Sequence, residues 1–506
     1  MGIKLKDTQV LAAAADDPLV NILSAPGSGK TTVAAERFGY LHYKNPDGRR
    51  GIIGLSFNRT AVGELRSRIA ARWGRPALAF PNLVTTFDDF HVRTMKHLLR
   101  LGLLKWSSGH HEVDVIDDYS SKPGYQWIAV KGWLRIASCK LDGTVCSNSI
   151  RAKRPTYGFG KAGDHRKVLE DGCVSHDDVR HILHAALDLN GIQDAIDDWM
   201  VKNYRHIVVD EIYDADELDL HVASRAALLG IGITVVGDPW QALYDWRGAT
   251  PAKVKSKLLD KYEFTSFHQP KSFRFESEQM RELTDRLRAG KPVDLPPITS
   301  DAVDIALARR WAELWKVGDN ILPLAFRSGF TSEIDAVLCL LLDIATGSGI
   351  GLPAYGRNNA LIRLGMADDG LEDFRDAILR PALEELVADL PAGEVLERLR
   401  VRTEESGRKR PRRANDETTR EGELDLLRAR LKRRDLIPGL TVHQAKGREW
   451  NRIGLALNHE QEGMLAQGLR ELEPEHCVLY VALTRAKHIC GSLRSPHELD
   501  LNETTR

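Results

Sequence analysis

Short runs of apolar residues, each bounded by polar turns, recur through the first half of the chain and once more near its end. Runs of this kind predict strands that are covered on both faces of a sheet. Between them, apolar residues three or four positions apart predict helices, as in Ala34, Phe38 and Leu41. The predicted strands are Val20–Leu23, Ile52–Phe57, Leu83–Phe87, Ile207–Val209, Ile231–Val236 and Ile453–Leu457. This pattern indicates an α/β fold.

Two long intervals interrupt the succession of strands. The first, residues 92–203, includes a basic stretch at 151–155 and is expected to be an inserted domain. The second, residues 328–440, ends in a charge-dense segment from Glu404 to Arg434. This segment carries a basic run at 408–413, and residues 408–419 are predicted to form a mobile basic linker. Leu424, Leu427 and Leu431 share one helical face after that run.

The composition limits the possible functions without selecting one. The 506 residues exceed what one hydrophobic core usually organises, so several domains are expected. Lys plus Arg and Asp plus Glu both number 71, so any binding of nucleic acid must depend on local basic clusters. The six cysteines form no C-x-x-C pair, which favours a reducing compartment, and no apolar stretch approaches a membrane span. We therefore expect a cytoplasmic protein without a membrane partner.

A glycine-rich loop follows the first predicted strand and precedes a predicted helix. Glycines allow backbone N–H groups to surround phosphate oxygens, and the amino end of a helix favours negative charge. Lys30 is expected to neutralise the β- and γ-phosphates of ATP, and the hydroxyl of Thr31 is expected to bind Mg²⁺. An ordinary strand-to-helix turn is the alternative for the loop alone. The residues expected to bind phosphate are Ser24, Ala25, Pro26, Gly27, Ser28, Gly29, Lys30, Thr31 and Thr32.

Two carboxylates end the predicted strand Ile207–Val209. Asp210 is expected to bind Mg²⁺, and Glu211 is expected to act as the general base for the attacking water. A solvated acidic turn is the alternative for an isolated Asp-Glu pair. That alternative becomes weaker here because Lys30 lies upstream and Gln241 lies downstream, just after the strand Ile231–Val236.

Gln241 is followed closely by aromatic and cationic residues. Trp246 and Arg247 combine a flat ring with a permanent charge, which suits base stacking and backbone contact on single-stranded nucleic acid. The segment from Val235 to Ala249 therefore predicts a phosphate-sensing group and a base-stacking group on one short stretch of chain.

These motifs, in this order from Gln9 to Lys487, resemble those of the superfamily 1A helicases, the UvrD/Rep/PcrA family. The resemblance implies two RecA-like P-loop lobes, 1A and 2A, with mostly helical insertions 1B and 2B. It also implies an ATP-dependent motor that moves from 3′ to 5′ on single-stranded DNA. The predicted ranges are 1–91 with 204–265 for lobe 1A, 92–203 for 1B, 266–345 with 436–506 for lobe 2A, and 346–435 for a reduced 2B with a basic linker.

The resemblance also assigns further site residues. It implies that Gln9 and Phe273 contact adenine, that Glu449 contacts the ribose, and that Gln241 reads the γ-phosphate. Arg274 and Arg485 would be arginine fingers, planar cations suited to the charge of the transition state; single arginines are otherwise usually surface cations. The residues implied to contact DNA are Phe57, Arg59, Phe87, Tyr244, Trp246, Arg247 and His443.

Taken one at a time, several of these residues have simpler interpretations. Gln9 could be an exposed helix glutamine, Phe57 and Phe87 could be core residues at strand ends, and His443 could be a structural histidine. The chain also departs from the family's D-E-x-Q-D tract, because Tyr213 stands where the glutamine is usual.

Three functions are compatible with this set of motifs. The first is a DNA helicase or translocase in repair, replication or antiphage defence, acting on single-stranded or tailed DNA with a possible nuclease or repair partner. The second is a regulatory subunit that senses nucleotide and DNA ends within a nuclease-containing defence complex, since the helicase-like subunit of the Gabija antiphage system is similarly compact. The third, a metabolic P-loop kinase, leaves Trp246, Arg274 and Arg485 unexplained.

Overall fold

The computed structural model describes residues 5–494 apart from 46–48, 118, 120–127, 131, 153–155, 160–161, 244–247, 327–331, 367–369 and 412–416. The described residues form two compact units, one up to Arg274 and one from Phe275 onward. The first unit thus extends beyond the boundary predicted at 265, because Thr265–Gln269 is a strand of its sheet. The assignment of residue ranges to lobes and insertions remains a prediction.

The first unit contains a six-stranded sheet in which every neighbouring pair is parallel. The five strands predicted in this part of the chain are all present, with ends shifted by a few residues. Parallel strands place their carboxyl ends at one edge, where ligands of such sheets bind. In spatial order the strands are Thr265–Gln269, Leu19–Ser24, Gly232–Gly237, Tyr204–Asp210, Gly51–Ser56 and Leu83–Thr86.

Helices connect these strands and cover the sheet. Phe38, on the helix after the first strand, is fully buried against strand residues such as Ile22 and Val208. Loss of such a side chain costs about 3–5 kcal/mol of stability. The helices of this unit are Asp7–Ala13, Lys30–Lys44, Arg59–Trp73, Phe87–Arg100, Ala162–Glu170, His176–Ala186, Ile192–Asn203, Glu217–Leu228 and Pro251–Val254, with short 3-10 or π turns at Arg75–Leu78, Ile212–Asp214, Pro239–Gln241 and Lys255–Leu259.

The first long interval is less helical than predicted. It contains an antiparallel hairpin of Trp133–Cys139 with Thr144–Arg151, joined by the short strand Lys105–Trp106. The alternation of apolar and polar residues in this hairpin is weak, and this is why the apolar pattern did not reveal it. The other strands of the interval are Asp114–Ile116, paired with Cys173–Ser175, and Ile128–Val130, paired with Thr156–Gly158.

A cluster of buried and partly buried charges connects this interval to the helices that follow strands of the first sheet. The guanidinium of Arg180 donates hydrogen bonds to Asp88, Asp216 and Asp219, at distances between 2.6 and 3.1 Å. His91 Nε2 lies 2.7 Å from Asp219 Oδ1. We refer to these five residues as the Arg180 cluster.

The second unit contains a second six-stranded sheet, which is also parallel throughout. The one strand predicted here corresponds to Trp450–Ala456. The other strands are shorter or contain Gly and Pro, as in Ile437–Thr441, and gave no clear apolar run. In spatial order the strands are Pro297–Ile298, Ala486–Leu493, Trp450–Ala456, Ile305–Ala308, Ile437–Thr441 and Ile321–Pro323.

The second long interval is helical in its described residues. Its core surrounds the helix Glu333–Ile350, and the predicted stripe contributes Leu424 and Leu427, both fully buried. Arg408 and Arg410 belong to the run predicted as a mobile linker, yet Arg408 donates to the carbonyl of Leu364 and Arg410 pairs with Glu397 and Glu404. The mobile-linker prediction is therefore wrong for these two arginines. The helices of this unit are Glu278–Arg288, Trp311–Leu314, Glu333–Ile350, Arg357–Arg363, Leu371–Phe374, Arg380–Val387, Ala392–Glu405, Glu417–Leu431, Val442–Ala445, His459–Gln467 and Pro474–Leu483, with turns at Ser300–Ala302 and Arg375–Leu379.

Within the described ranges, every helix is too short or too polar to traverse a lipid bilayer. The six cysteines are all free thiols, and four of them are buried.

Candidate functional site

The glycine-rich loop joins the strand Leu19–Ser24 to the helix Lys30–Lys44. Gly27 and Gly29 have φ angles of 69° and 84°, which side chains rarely adopt. The loop is held from outside because Gln269 accepts a hydrogen bond from Ala25 N, and Gly27 accepts one from Phe273 N. The hydroxyls of Ser24 and Ser28 are buried without a hydrogen-bond partner. Two buried hydroxyls without partners therefore lie in one loop with two glycines of positive φ, a combination that suits phosphate binding.

The strand Tyr204–Asp210 delivers the two carboxylates to the same edge of the sheet. Asp210 is 1% exposed, and its Oδ1 atom has no hydrogen-bond partner. Burial and the neighbouring charge of Glu211 raise the pKa of Asp210 to about 7, although a hydrogen bond with Thr31 and the charge of Lys30 oppose this shift. Glu211 adopts a φ of 63°, an uncommon value for a residue with a side chain. Such strained backbone conformations cluster at functional sites.

Lys30 connects three of the predicted catalytic elements. Its Nζ atom donates to Gln241 Oε1 at 2.9 Å and lies 3.5 Å from Glu211 Oε1. Gln241 is 4% exposed, and its Nε2 atom donates to Asp238 Oδ2 at 3.0 Å. Lys30, Glu211 and Gln241, which are far apart in sequence, therefore meet at one point, and we call this arrangement the Lys30 bridge.

Asp238 is a residue of this site that the sequence analysis did not assign. It is fully buried and orients Gln241, while its other carboxylate oxygen accepts from Trp240 N. The available signal was its position directly after a buried strand and three residues before Gln241.

Gln9 lies against the phosphate loop. Its Nε2 atom donates to the carbonyl of Ser28 at 2.9 Å, and its Oε1 atom accepts from Lys6 N. Gln9 is 5% exposed, so the alternative of an exposed helix glutamine is wrong. Contact with adenine remains a prediction.

The segment Lys271–Arg274 passes beside the loop within the first unit. A Cβ atom at Gly27 would lie 2.4 Å from the Cβ atom of Arg274, so the backbones approach closely there. Phe273 is 48% exposed, which leaves its ring accessible for stacking. Arg274 is the last residue of the first unit, although its range was predicted for lobe 2A, and its role as an arginine finger remains a prediction.

Other predicted residues lie in the second unit. Arg485 follows the helix Pro474–Leu483 and is 2% exposed, with its Nε atom donating to the carbonyl of Val481. Glu449 is near Lys487, with 3.9 Å between the carboxylate and the amine. His443 is half-buried in the short helix Val442–Ala445. Their roles remain predictions.

The predicted DNA residues of the first unit differ in accessibility. Arg59 is exposed and pairs with Asp117 at 2.7 Å. Phe57 is half-buried, and its ring centroid lies 5.0 Å from that of Phe87. Phe87 is 1% exposed, so the prediction that it stacks on DNA is wrong for this structure, in which it is a core residue supporting Phe57. Tyr244, Trp246 and Arg247 lie outside the described residues.

The donors at the site fit a magnesium ion. Mg²⁺ prefers carboxylate and hydroxyl oxygens and retains several waters. Asp210 offers a buried oxygen without a partner, and the hydroxyl of Thr31 is hydrogen-bonded to the same carboxylate.

Comparison with known proteins gives this arrangement a family context. Residues 7–247 match a family model described as an AAA domain, and residues 421–489 match one described as the UvrD-like helicase C-terminal domain. The chain belongs to the UvrD/Rep/PcrA family of superfamily 1.

Individual UvrD/Rep/PcrA relatives are distant. The ATP-dependent DNA helicase srs2 of Schizosaccharomyces pombe is 26% identical over 316 residues, which cover 57% of this chain and 34% of that protein. The ATP-dependent DNA helicase PcrA of Bacillus subtilis is 23% identical over 263 residues, 48% of this chain and 33% of that protein. The ATP-dependent DNA helicase Rep of Salmonella typhimurium is 23% identical over 245 residues, which cover 46% of this chain and 36% of that protein. The chain spans about a third of the length of these relatives.

Within the UvrD/Rep/PcrA pattern, the departure at Tyr213 lies close to the Lys30 bridge. Tyr213 is buried in the turn Ile212–Asp214, directly after Glu211. The substitution therefore changes the surroundings of the catalytic carboxylates and leaves the carboxylates themselves in place.

Proposed function

We propose that this chain is an ATP-dependent motor that moves from 3′ to 5′ along single-stranded DNA and separates duplex DNA with a 3′ tail. The observation that carries the proposal is the Lys30 bridge, in which one amine contacts both Glu211 and Gln241. The relatives named above are ATP-dependent DNA helicases, and we extend that activity to this chain.

In this proposal ATP lies with its phosphates in the loop Ser24–Thr32. Lys30 exchanges its contacts with Glu211 and Gln241 for the β- and γ-phosphates, because a phosphate attracts the ammonium more strongly than a neutral amide does. Glu211 is then free to accept the proton of the attacking water. Gln241 is held by Asp238 and reads the presence of the γ-phosphate.

Thr31 and Asp210 would hold Mg²⁺ beside the phosphates. The ion supplies charge neutralisation at the β- and γ-oxygens. The raised pKa of Asp210 reflects a buried carboxylate without sufficient positive charge nearby, which is the environment that a divalent cation completes.

We assign the remaining residues to adenine, the transition state and DNA. Gln9 and Phe273 would contact adenine, Glu449 would contact the ribose, and Arg274 and Arg485 would stabilise the transferred phosphoryl group. Single-stranded DNA would contact Phe57, Arg59, Tyr244, Trp246, Arg247 and His443. Stacking of this kind is worth about 1–3 kcal/mol per base.

Measurement of ATP turnover with and without single-stranded DNA tests the proposal. We expect DNA to stimulate the wild type and Lys30→Ala to abolish turnover. Lys44→Ala is a matched control, since Lys44 ends the same helix and pairs with Asp16 at the surface. Turnover that is independent of DNA, or that survives in Lys30→Ala, would reject the proposal.

Strand displacement then tests polarity. We expect a labelled duplex with a 3′ single-stranded tail to be separated, while its 5′-tailed counterpart stays intact. Equal activity on both substrates, or a preference for the 5′ tail, would contradict the assigned direction.

The short range predicted for 2B, residues 346–435, favours one further candidate function. In larger members of the family the corresponding domain engages duplex DNA, so a reduced domain suits a sensor of nucleotide and DNA ends that regulates a nuclease partner. Duplex separation by the purified chain alone favours the motor, whereas activity only in the presence of a nuclease partner favours the sensor.

A further inference from the structure

Tyr213 occupies a specific place in the first unit. Its side chain is 6% exposed, and it belongs to the turn Ile212–Asp214, which begins at Glu211. A buried tyrosine two residues after the proposed general base can affect the position of that base through the backbone of the turn.

The ring of Tyr213 packs against Gly237. A Cβ atom at Gly237 would lie 2.8 Å from Cδ2 and 3.3 Å from Cε2 of Tyr213. Gly237 does not have a positive φ, so its backbone does not require glycine. The absence of a side chain at this position instead provides the space that the ring fills.

Gly237 ends the strand that leads to the γ-phosphate sensor. Asp238 follows it directly and holds Gln241. The next residue of the acidic turn, Asp214, accepts a hydrogen bond from Leu243 N at 3.3 Å. The segment from Gly237 to Leu243 is therefore held by the turn near both of its ends.

The turn also contacts the chain beyond the sensor. Thr250 N donates to the carbonyl of Ala215 at 2.9 Å. Leu243 and Thr250 lie on either side of the predicted DNA residues 244–247, so one turn anchors both flanks of that stretch.

We propose that Tyr213 is a positioning residue that links Glu211 to Gln241 through the packing of its ring on Gly237. The inference rests on the proposed function and deepens it: this chain uses a ring seated on a glycine where its relatives use a glutamine side chain. Displacement of Gln241 by a γ-phosphate is passed through Gly237 to the turn that carries Glu211. Because the ring and not the hydroxyl makes this contact, Tyr213→Phe preserves the link.

Steady-state turnover of a set of variants tests this link. We expect Tyr213→Ala to lower kcat with saturating DNA by about tenfold or more while KM for ATP changes by less than about threefold. Tyr213→Phe should stay within about twofold of wild type. Tyr204→Ala is a matched control, since Tyr204 is equally buried at the opposite end of the strand Tyr204–Asp210, and it should alter stability without altering kcat.

A double-mutant cycle isolates the contact between the ring and the glycine. Gly237→Ala should reproduce the defect because its new methyl group displaces the ring. In the double variant Tyr213→Ala/Gly237→Ala the ring is no longer there to be displaced, and only the approach of the new methyl group to Ile212 Cγ2, at 3.1 Å, remains. The double variant should therefore retain clearly more activity than the product of the two single defects predicts. Defects that multiply in the double variant would overturn the inference, as would wild-type behaviour of Tyr213→Ala.

Hydrogen exchange separates failure of this inference from failure of the proposed function. A non-hydrolysable ATP analogue should slow amide exchange in residues 238–243 of the wild type by about tenfold or more and should have little effect in Tyr213→Ala. This measurement requires no turnover. If the chain lacked DNA-stimulated hydrolysis, the proposed motor function would be rejected, and hydrogen exchange alone would still decide whether Tyr213 links Glu211 to Gln241. Equal slowing in both proteins, or none in the wild type, would overturn the inference.

Discussion

Two groups of buried carboxylates lie in the first unit, and their environments are opposite. In the Arg180 cluster, one guanidinium reaches three carboxylates and His91 donates to Asp219. At the nucleotide site, the amine of Lys30 lies beside Glu211 and partly offsets the charge at Asp210, and Asp210 keeps one buried oxygen without a partner.

The pKa values of the two groups differ accordingly. Burial would raise the pKa of Asp219, but the charge of Arg180 and the hydrogen bond from His91 outweigh burial and lower it. Burial and Glu211 raise the pKa of Asp210 to about 7. Burial of charge therefore does not mark a functional site by itself. The informative feature is a buried charge whose partner is missing, because a bound ligand must then supply the opposite charge.

The largest expected effect concerns stability at the Arg180 cluster. Arg180→Met leaves three carboxylates without their common cation, and we expect the free energy of unfolding to fall by about 3–5 kcal/mol. Arg93→Met is the control, since Arg93 makes a more exposed pair with Asp89 that is worth about 1 kcal/mol or less. Chemical denaturation checks both variants, and equal losses would show that the cluster is not a special element.

At the nucleotide site the large effect is on activity instead. Lys30→Ala removes the cation that contacts Glu211 and Gln241, and we expect kcat for ATP to fall by about a thousandfold, or about 4 kcal/mol in the barrier. Stability should change less than at the Arg180 cluster, because a single ion pair is lost and its carboxylate, Glu211, is 23% exposed. ATP turnover and chemical denaturation of Lys30→Ala, measured on the same preparation, check both expectations. A fall in the free energy of unfolding without loss of turnover would contradict them.

Asp210→Asn should have effects of opposite sign on stability and activity. At pH 8 the wild-type carboxylate is buried and ionised without a full partner, so the neutral amide should stabilise the ligand-free protein by about 1–2 kcal/mol. Turnover should nevertheless be lost, because an amide binds Mg²⁺ poorly. Asp219→Asn should be destabilising, and a stability gain in that variant would contradict the distinction between the two groups.

The smallest expected effect is the pH dependence at Asp219. Its pKa is lower in the folded protein than the ordinary 3.8, so its contribution to stability is present above that pH and is lost as the pH falls below it. The slope is about 1.4 kcal/mol per pH unit for one such group. Acid denaturation below pH 4 should therefore be less steep for Asp219→Asn than for the wild type, and identical slopes would show that Asp219 does not contribute.

The sequence predicted one of these two sites and not the other, for a physical reason. Asp210 ends a buried strand, and Glu211, Gln241 and Lys30 lie within a short loop of the end of one. Parallel strands bring their carboxyl ends together, so the local pattern was sufficient to predict that these residues meet. Arg180 and Asp88 lie on two different helices and are 92 residues apart in sequence, and no local signal pairs them. Tertiary packing alone creates the Arg180 cluster.

The aromatic predictions show a similar limit. Phe57 and Phe87 both end predicted strands, and the family resemblance implied DNA contact for both. In the structure Phe87 begins a helix and turns inward, while Phe57 stays half-buried above it. Periodicity identifies the end of a strand, but the direction of the next element decides which ring remains accessible.

The most direct test of the central claim is ATP hydrolysis as a function of Mg²⁺ concentration for the wild type, Asp210→Asn and Asp219→Asn, with each rate corrected for the folded fraction. The account predicts that the wild type and Asp219→Asn share one Mg²⁺ dependence, while Asp210→Asn shows no Mg²⁺-dependent hydrolysis. Hydrolysis by Asp210→Asn with the wild-type Mg²⁺ dependence, or equal loss in both variants, would contradict it.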